Sequence, residues 1–267
     1  MANLDRPVSF RVTDGSPVAA LVEVLDLQAA WPGVRRLRAW AREVLRPGPG
    51  ERAVDIGAGT GEETQAMAAA VGPSGLAVGV EPNPELREVA TERAAAAGSA
   101  ARFVDGVAYA LPFDDATVDV IRCERLFQHL DEPDRAAAEI ARVLRPGGRA
   151  LVSDSDWGTM VIHPGEEAVV EIVRRFWLGR FPNPLSGRRL GGQLTAAGLV
   201  VDDAGSQALI QDAAGAESML SLLRNVEGLL TDDQRDRLLA DLRAGAERGD
   251  FHFSVTMFAV LAHKEDR

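Results

Sequence analysis

Cysteine, lysine and tyrosine are nearly absent from this 267-residue sequence, which contains one residue of each type. The lone Cys123 excludes an internal disulfide and a metal site built from several thiolates. No uncharged stretch approaches the roughly 20 residues that span a bilayer, and the first residues lack the basic and apolar regions of a secretory signal. We therefore expect a soluble cytoplasmic protein with no membrane partner.

Positive charge is also in short supply, because 29 basic residues stand against 40 acidic ones and give a formal net charge of −11. This excess of negative charge repels a phosphate backbone at long range, so nucleic acids are poor partners. Hydrophobic residues make up 46% and charged residues 26% of the chain, which is ordinary for a globular protein. The composition indicates a chain that folds alone, and it leaves the choice between monomer and homodimer open.

Short β-branched runs alternate with helical segments along most of the chain, a pattern typical of a parallel sheet covered by helices. In the first part, strands are predicted over Arg52–Ile56, Leu76–Glu81, Ala101–Val104, Thr117–Arg122 and Arg149–Asp154. Helices are predicted over Gly33–Leu45, Glu62–Val71, Pro84–Ala97 and Asp134–Leu144. Beyond them we predict helices Glu166–Leu178, Gly187–Ala197, Gly215–Leu230 and Thr231–Arg248, and strands Leu199–Gly205 and Phe253–His263.

The most informative segment is the glycine loop between the first predicted strand and helix, which reads Asp55-Ile56-Gly57-Ala58-Gly59-Thr60-Gly61. Glycine permits positive φ and close backbone approach, so a ligand can lie against the main chain here. The nicotinamide fingerprint needs a further glycine at position 62, where this chain has Glu62. A carboxylate at the start of a helix also suits a pyrophosphate poorly, because it repels an anion there.

Carboxylates close the next two predicted strands. Glu81 follows Gly61 by twenty residues, and a carboxylate in this position can accept hydrogen bonds from both hydroxyls of a ribose. Asp105 ends the third strand, where it could accept a hydrogen bond from an exocyclic amine of adenine. The ends of three strands therefore indicate a nucleoside site.

Four motifs in this order resemble the class I S-adenosylmethionine-dependent methyltransferases, in particular the small-molecule group that includes ubiquinone-biosynthesis and secondary-metabolite enzymes. They are the glycine loop, Val80-Glu81-Pro82-Asn83, Asp105-Gly106 with Leu111-Pro112-Phe113-Asp114, and Leu144-Arg145-Pro146-Gly147-Gly148. The resemblance is good over residues 50–155 and extends to the rest only in outline.

The resemblance implies a Rossmann-like, doubly wound α/β sheet of seven strands in which the last strand, Phe253–His263, is antiparallel. It implies one domain over 1–267, with a helical lid over 1–48, a cofactor-binding core over 49–155, a substrate-side insertion over 156–198 and a sheet-completing segment over 199–267. The cofactor would be S-adenosyl-L-methionine. The implied cofactor-binding residues are Asp55, Gly57, Gly59, Gly61, Glu81, Pro82, Asp105, Gly106, Arg122 and Cys123.

Methyl transfer from a sulfonium needs orientation above all, and a base only where the acceptor must lose a proton. His129 follows the fourth predicted strand, at the edge where open α/β sheets bind ligands, and is the candidate base. The alternative is a structural imidazole that fixes the loop. Substrate contacts are expected from Trp31, Gln128, Trp157 and His163, each of which could equally serve packing or solvation.

Acidic residues near the fifth predicted strand offer a second candidate site. Asp154, Asp156 and His163 could together bind a divalent metal, but no tight ligand spacing supports this. We therefore expect no metal site, turn or cap roles for Asp154 and Asp156, and a solvated His163. Glu124 and Arg125 are expected to form an ordinary exposed pair, with contact between Glu124 and a polar substrate as the alternative.

The function predicted from these observations is methyl transfer to a small organic molecule of secondary metabolism, with a hydroxyl oxygen as the acceptor. Carbon or nitrogen acceptors stay open, as does a cyclase that retains the cofactor on the same scaffold. A binding protein without catalytic activity is a third possibility.

Overall fold

The computed structural model describes residues 17–211 and 229–266. Within these ranges seven strands form a sheet in the order β3-β2-β1-β4-β5-β7-β6. The strands are β1 (Arg52–Ile56), β2 (Leu76–Val80), β3 (Arg102–Val104), β4 (Val118–Glu124), β5 (Leu144–His163), β6 (Val200–Gln211) and β7 (His252–His263). The helices are α1 (Val18–Ala30), α2 (Pro32–Leu45), α3 (Glu62–Val71), α4 (Pro84–Ala96), α5 (Pro133–Val143), α6 (Glu167–Gly179), α7 (Ser186–Ala196) and α8 (Asp232–Arg248).

The strand directions confirm the predicted sheet. Strands β1 to β5 pair in parallel, whereas β7 is antiparallel to both of its neighbours, β5 and β6. Strand β1 lies between β2 and β4, so the chain reverses its direction of winding there. In open α/β sheets a crevice for ligands opens at this point, outside the carboxyl ends of the strands. The topology therefore places a site above β1 and β4.

Capping residues fix the starts of two helices. The Asn83 side chain accepts hydrogen bonds from the backbone nitrogens of Glu85 and Leu86 at 2.9 and 3.2 Å, and Pro84 begins α4. At α8, Thr231 Oγ1 accepts from the Gln234 nitrogen, and Gln234 Oε1 accepts from the Thr231 nitrogen. Both pairs satisfy backbone donors that the first turn of a helix leaves without partners.

Helices cover both faces of the sheet and bury its apolar side chains. On one face α5 and α7 contribute Ile140, Val143, Leu190 and Leu194 to a fully buried cluster. On the other face α2 and α3 contribute Val34, Leu37 and Met67. Full burial of one such side chain stabilises the fold by roughly 1.5–3 kcal/mol, so both layers hold the crevice rigidly from below.

Strand β5 is longer than its sequence pattern predicts, because it continues past Asp154 to His163. The polar run Ser153–Asp156 reads as a turn, but β7 continues alongside and pairs with β5 again from Val161 to His163 after an irregularity. The boundary expected after residue 155 therefore falls inside a strand. The extension carries a separate apolar cluster with α6 and α8, which includes Met160, Val173 and Leu242.

Two other differences from the sequence-based prediction concern a helix and a strand end. The helix α1 was not predicted, and β6 continues to Gln211 instead of ending at Gly205. The predicted helix Gly215–Leu230 lies outside the described residues except for its last two positions. In the described parts of the chain, no helix has the length and apolar character needed to cross a membrane.

Candidate active site

The three predicted glycines of the loop after β1 all have positive φ, at 75° for Gly57, 53° for Gly59 and 81° for Gly61. A Cβ on Gly61 would lie 2.5 Å from Cζ of Phe103, so the third glycine is required by packing against β3. At Gly57 and Gly59 the nearest atoms to such a Cβ belong to the flexible leucines 126 and 25, at 3.4 and 3.2 Å. At the first two glycines the nearest groups to such a Cβ are therefore leucine side chains and not backbone.

Glu81 lies directly beside this loop. Its Oε2 accepts a hydrogen bond from the Gly59 nitrogen at 3.0 Å, and its Oε1 accepts one from the Asn83 nitrogen at 3.0 Å. Burial raises the pKa of Glu81, and these two N–H donors partly offset the rise. A carboxylate offers about four acceptor positions, so each oxygen keeps one free. The group can accept hydrogen bonds from a pair of neighbouring hydroxyls.

Asp105 belongs to the same corner, through Arg87. Arg87 Nη1 donates to Asp105 Oδ1 at 2.8 Å and to the carbonyl oxygens of Glu81 and Pro82 at 2.7 and 3.0 Å. The Asp105 side chain is 76% exposed, so it remains open to a further donor. A Cβ on Gly106 would lie 2.8 Å from Val80 Cγ1, which explains the glycine at this position.

A buried network of charged side chains lies under the opposite end of the loop. Arg122 donates to Asp55 Oδ1 at 2.9 Å and to Glu124, and its Nε lies 3.5 Å from Glu63. Burial opposes the charge of Arg122, but the acids around it hold its pKa above the ordinary value. Asp55 also accepts a hydrogen bond from Thr64 at 2.9 Å. Because both oxygens of its carboxylate have partners within the protein, Asp55 stabilises the shape of the loop.

Helix α2 joins this network through two arginines one turn apart. Arg38 donates to Glu124 at 2.8 Å and to Glu62 at 2.7 Å, and Arg42 pairs with Glu63. Sequence analysis missed these residues, although the i, i+4 arginines on α2 and the acids at the start of α3 were a signal. Ion pairs thus connect α2 to the start of α3 and to the end of β4.

The prediction that Glu124 and Arg125 form an exposed pair is wrong. The Glu124 side chain is only 6% exposed and interacts with Arg38, Arg122 and Arg125. Burial would raise the pKa of Glu124, but these arginines hold it well below its usual range. Since a general base must hold a proton part of the time, Glu124 does not fit that role.

Cys123 is fully buried in β4. Burial and the acids nearby raise the pKa of its thiol well above the ordinary value. A thiol that stays protonated is neither a nucleophile nor a metal ligand. At this position the backbone is the part of the residue that can meet a ligand.

Gln128 connects β5 with the segment between α6 and α7. It lies in a short 3₁₀ turn, Phe127–His129, after β4. Its Oε1 accepts from Trp157 Nε1 at 2.7 Å, and its backbone oxygen accepts from the Asn183 nitrogen at 3.1 Å. The Gln128 side chain is therefore engaged in holding Trp157, and it brings two of the predicted substrate residues together.

The rings around Trp157 form a row, which we call the aromatic row. Trp157 stacks on Phe181 and on Trp177, with centroids 4.9 and 5.2 Å apart, and Phe181 meets the His129 ring at 5.4 Å. Such stacked and edge-to-face pairs contribute about 0.5–1.5 kcal/mol each beyond their burial. Of the four histidines in the sequence, His129 is the one at the carboxyl edge of β4.

Asp154 and Asp156 do not lie in an exposed turn, because both are fully buried within β5. Both nevertheless accept backbone hydrogen bonds as the expected cap residues would, Asp156 Oδ1 from the Gly158 nitrogen at 3.0 Å. Asp154 accepts from the nitrogens of Gln128 and Ser155 at 2.9 and 2.7 Å, and burial raises its pKa to about 7. Asp156 pairs with Arg188. Asp154 thus anchors the 3₁₀ turn that carries Gln128.

His163 and Trp31 lie apart from the aromatic row. His163 is exposed at the far end of β5, with Nε2 at 3.3 Å from Asp250. Trp31 joins α1 to α2 and packs against the apolar cluster of α2 and α3. Helix α1 contacts the glycine loop through Leu25, which lies over Gly59. It also contacts α4 through the ion pair of Asp26 with Arg93.

Comparison with known proteins identifies the scaffold. The model of a methyltransferase domain family matches residues 54–152. An uncharacterised 37.1 kDa protein in transposon TN4556 of Streptomyces fradiae is 32% identical over 254 residues, which cover 92% of this chain and 72% of that protein. The ubiquinone/menaquinone biosynthesis C-methyltransferase of Ectopseudomonas mendocina is 36% identical over 120 residues, 43% of this chain and 47% of the relative. The chain belongs to the class I S-adenosylmethionine-dependent methyltransferases.

Solved structures agree with the fold of this methyltransferase. A putative methyltransferase from Bacillus halodurans superposes with a TM-score of 0.63 at 17% identity, over 85% of this chain and 98% of its own. The 4+2 cyclase SpnF superposes with a TM-score of 0.54 at 21% identity, over 87% of this chain and 81% of its own. At these identities the likeness extends to the fold alone.

The cofactor of this methyltransferase is S-adenosyl-L-methionine. The described residues fit such a ligand, since Gly57 and Gly59 expose backbone under flexible leucines and the Glu81 oxygens keep free acceptor positions. The crevice at the carboxyl ends of β1, β2 and β4 carries these features together. The geometry of the site and the family therefore agree.

Proposed function

We propose that this methyltransferase methylates a hydroxyl oxygen of a small organic molecule of secondary metabolism. The observation that carries the proposal is the aromatic row, which begins at His129, in the 3₁₀ turn after β4, and ends at Trp177 on α6. A row of aromatic side chains suits a flat, partly apolar acceptor molecule. The chain would act as one domain, with α1 and α2 as its lid, and nucleic acid would not be its partner.

Residues of the crevice would hold the two ends of the cofactor. The Glu81 carboxylate would accept hydrogen bonds from the ribose hydroxyls, and Asp105 would accept from the adenine amine, with Pro82 and Gly106 flanking them. The three glycines would border the cofactor, and the backbone at Arg122 and Cys123 would accept from its amino group. Asp55, held by Arg122 and Thr64, would shape the loop at the methionine end.

S-adenosylmethionine supplies an activated methyl group on a positively charged sulfur. The chain must then hold the acceptor oxygen in line and exclude water, which can contribute several kcal/mol through orientation. His129 would take the proton of the hydroxyl, because Glu124 is paired with arginines and stays ionised. Gln128 would position Trp157 against the acceptor.

The cofactor assignment predicts a clear ranking of two carboxylates. Glu81→Ala should weaken S-adenosylmethionine binding about 10- to 100-fold, since it removes a buried acceptor for charge-assisted hydrogen bonds. Asp105→Ala should weaken binding only a few-fold, because that side chain is exposed and screened by water. Titration calorimetry on both variants measures the difference. Equal affinities for Glu81→Ala and the unaltered protein would remove the assignment.

The role of His129 is separable from cofactor binding. His129→Ala should lower turnover by about 10²- to 10⁴-fold while cofactor affinity stays the same. The assay follows labelled methyl groups from S-adenosylmethionine into a panel of phenols. A variant with unchanged turnover would assign the imidazole to loop structure.

A cyclase is the second candidate, and the fold likeness to SpnF is the observation that favours it. A cyclase would bind the cofactor and convert an unsaturated substrate without releasing S-adenosylhomocysteine. Methyl transfer to carbon or nitrogen would release it, as transfer to oxygen does. The product's labelled atom, located by NMR, therefore distinguishes oxygen from carbon and nitrogen acceptors.

A further inference from the structure

Arg180 lies at the Trp177 end of the aromatic row. It follows α6, is half-buried, and has no carboxylate partner among the described residues. Its guanidinium instead lies over the rings of Phe176 and Trp177, at 5.5 and 5.6 Å from their centroids. Such cation–π contacts hold the group in place but leave its N–H donors free in the plane.

Trp177 presents a second donor at the same place. Its side chain is buried, and its Nε1 has no hydrogen-bond partner in the described structure. An unsatisfied buried donor costs about 1–3 kcal/mol, so a ligand that accepts this hydrogen bond would gain binding free energy. The ring of Trp177 also forms one end of the aromatic row, through its stack on Trp157.

An open groove of about 440 Å³ borders Arg180. Ile172, Phe176, Gly179 and Leu229 supply its apolar wall, and Arg175 also lines it. Arg175 differs from Arg180, because its Nε donates to Glu171 at 2.9 Å. The groove therefore offers apolar surface and one guanidinium that lacks an acid.

These observations name the chemistry of a ligand. A cation would be repelled by Arg180, and a wholly apolar molecule would leave both donors without an acceptor. A carboxylate can accept from a guanidinium in bidentate geometry and from an indole N–H at once. Phe176 adds an aromatic ring to the wall of the groove. Phe181, the next residue after Arg180, touches His129 at the other end of the row.

We propose that Arg180 and Trp177 anchor a carboxylate on a planar, unsaturated methyl acceptor, and so select acidic aromatic substrates. This inference rests on the proposed function and names the substrate class for that site. Arg180 is the specificity-determining residue, Trp177 contributes its Nε1 donor, and Phe176 holds the guanidinium over the groove.

The test uses two probes of equal shape, trans-cinnamate and its neutral amide trans-cinnamamide. Protein saturated with S-adenosylhomocysteine is titrated with each, and dissociation constants are read by ligand-observed NMR. The unaltered protein should bind cinnamate about tenfold more tightly than the amide, which corresponds to one charge-assisted contact. Arg180→Gln should abolish this preference, and Trp177→Phe should reduce it about threefold while keeping the ring.

Arg175→Gln is the matched control, since it removes a guanidinium of the same groove that already has an acid partner. It should keep the preference for cinnamate. A preference that survives Arg180→Gln, equal binding of the two probes, or no binding of cinnamate would each overturn the inference. Calorimetry of S-adenosylmethionine on the same samples separates the two proposals, because failure of cofactor binding by the unaltered protein would defeat the proposed function itself.

Discussion

The two sides of the crevice are held together by different types of interaction. On the cofactor side, backbone N–H groups and ion pairs dominate, as in the contacts of Glu81 with the Gly59 nitrogen and of Arg122 with Asp55. On the side where we propose that the acceptor binds, the rings of the aromatic row dominate, and Gln128 accepts a hydrogen bond from Trp157. Polar groups with fixed partners tolerate one ligand geometry, whereas stacked rings accept many flat molecules. Changes on the first side should therefore affect cofactor binding, and changes on the second should affect the choice of acceptor.

The largest effect should come from filling the glycine loop. Gly59→Arg should abolish cofactor binding, because its side chain would start 3.2 Å from Leu25 and occupy the space beside the loop. Gly98→Arg is the control, since Gly98 has a similarly positive φ of 64° but no neighbour within 4 Å. Calorimetry should detect S-adenosylmethionine binding by the control alone. Loss of binding in both variants would trace the effect to backbone strain.

The next effect concerns stability on the cofactor side. Arg122→Met should lower the free energy of unfolding by about 3–5 kcal/mol, because it leaves three buried acids, Asp55, Glu63 and Glu124, without their shared cation. Arg145→Met removes a comparable contact to Asp119 at the partly exposed edge of the sheet and should cost less than about 1 kcal/mol. Urea unfolding measures both. Similar losses would mean that burial does not distinguish the two pairs.

Much of the cofactor side could be predicted from the sequence, for a physical reason. A glycine loop between a strand and a helix, and a carboxylate at the end of the next strand, are local patterns whose neighbours are set by the sheet. The bounds of β1 and α3 agree with the prediction to the residue. The role of Glu124 could not be found in this way, since its partner Arg38 lies 86 positions away on another element.

The acceptor side was less accessible to sequence analysis, because its members meet through the extension of β5. The run Ser153–Asp156 suggests a turn, yet pairing with β7 buries both aspartates and carries the chain on to His163. The stack of Trp157 with Trp177 and Phe181 joins residues from three segments. No short-range pattern encodes such contacts, and they depend on how α6 packs across the sheet.

The smallest predicted effect tests the anchor of the acceptor side by pH. Burial raises the pKa of Asp154 to about 7, whereas the same group titrates near 3.8 in the unfolded chain. The folded state therefore retains a proton that the unfolded state loses, so the contribution of Asp154 to stability falls as pH rises through 7. At 1.36 kcal/mol for each unit, the loss between pH 5 and pH 8 is about 2–3 kcal/mol.

Asp154→Asn removes this titration and keeps an acceptor for the Gln128 nitrogen. We compare the free energy of unfolding of the variant with that of the unaltered protein at pH 5 and at pH 8. The difference should shift in favour of the variant by about 2–3 kcal/mol from pH 5 to pH 8. Glu124→Gln is the matched control on the other side. The arginines hold the pKa of Glu124 well below its usual range, so that variant should lose the same stability at both pH values. If the stability difference between Asp154→Asn and the unaltered protein were the same at pH 5 and pH 8, water would reach Asp154. The two sides of the crevice would then be equally accessible to water.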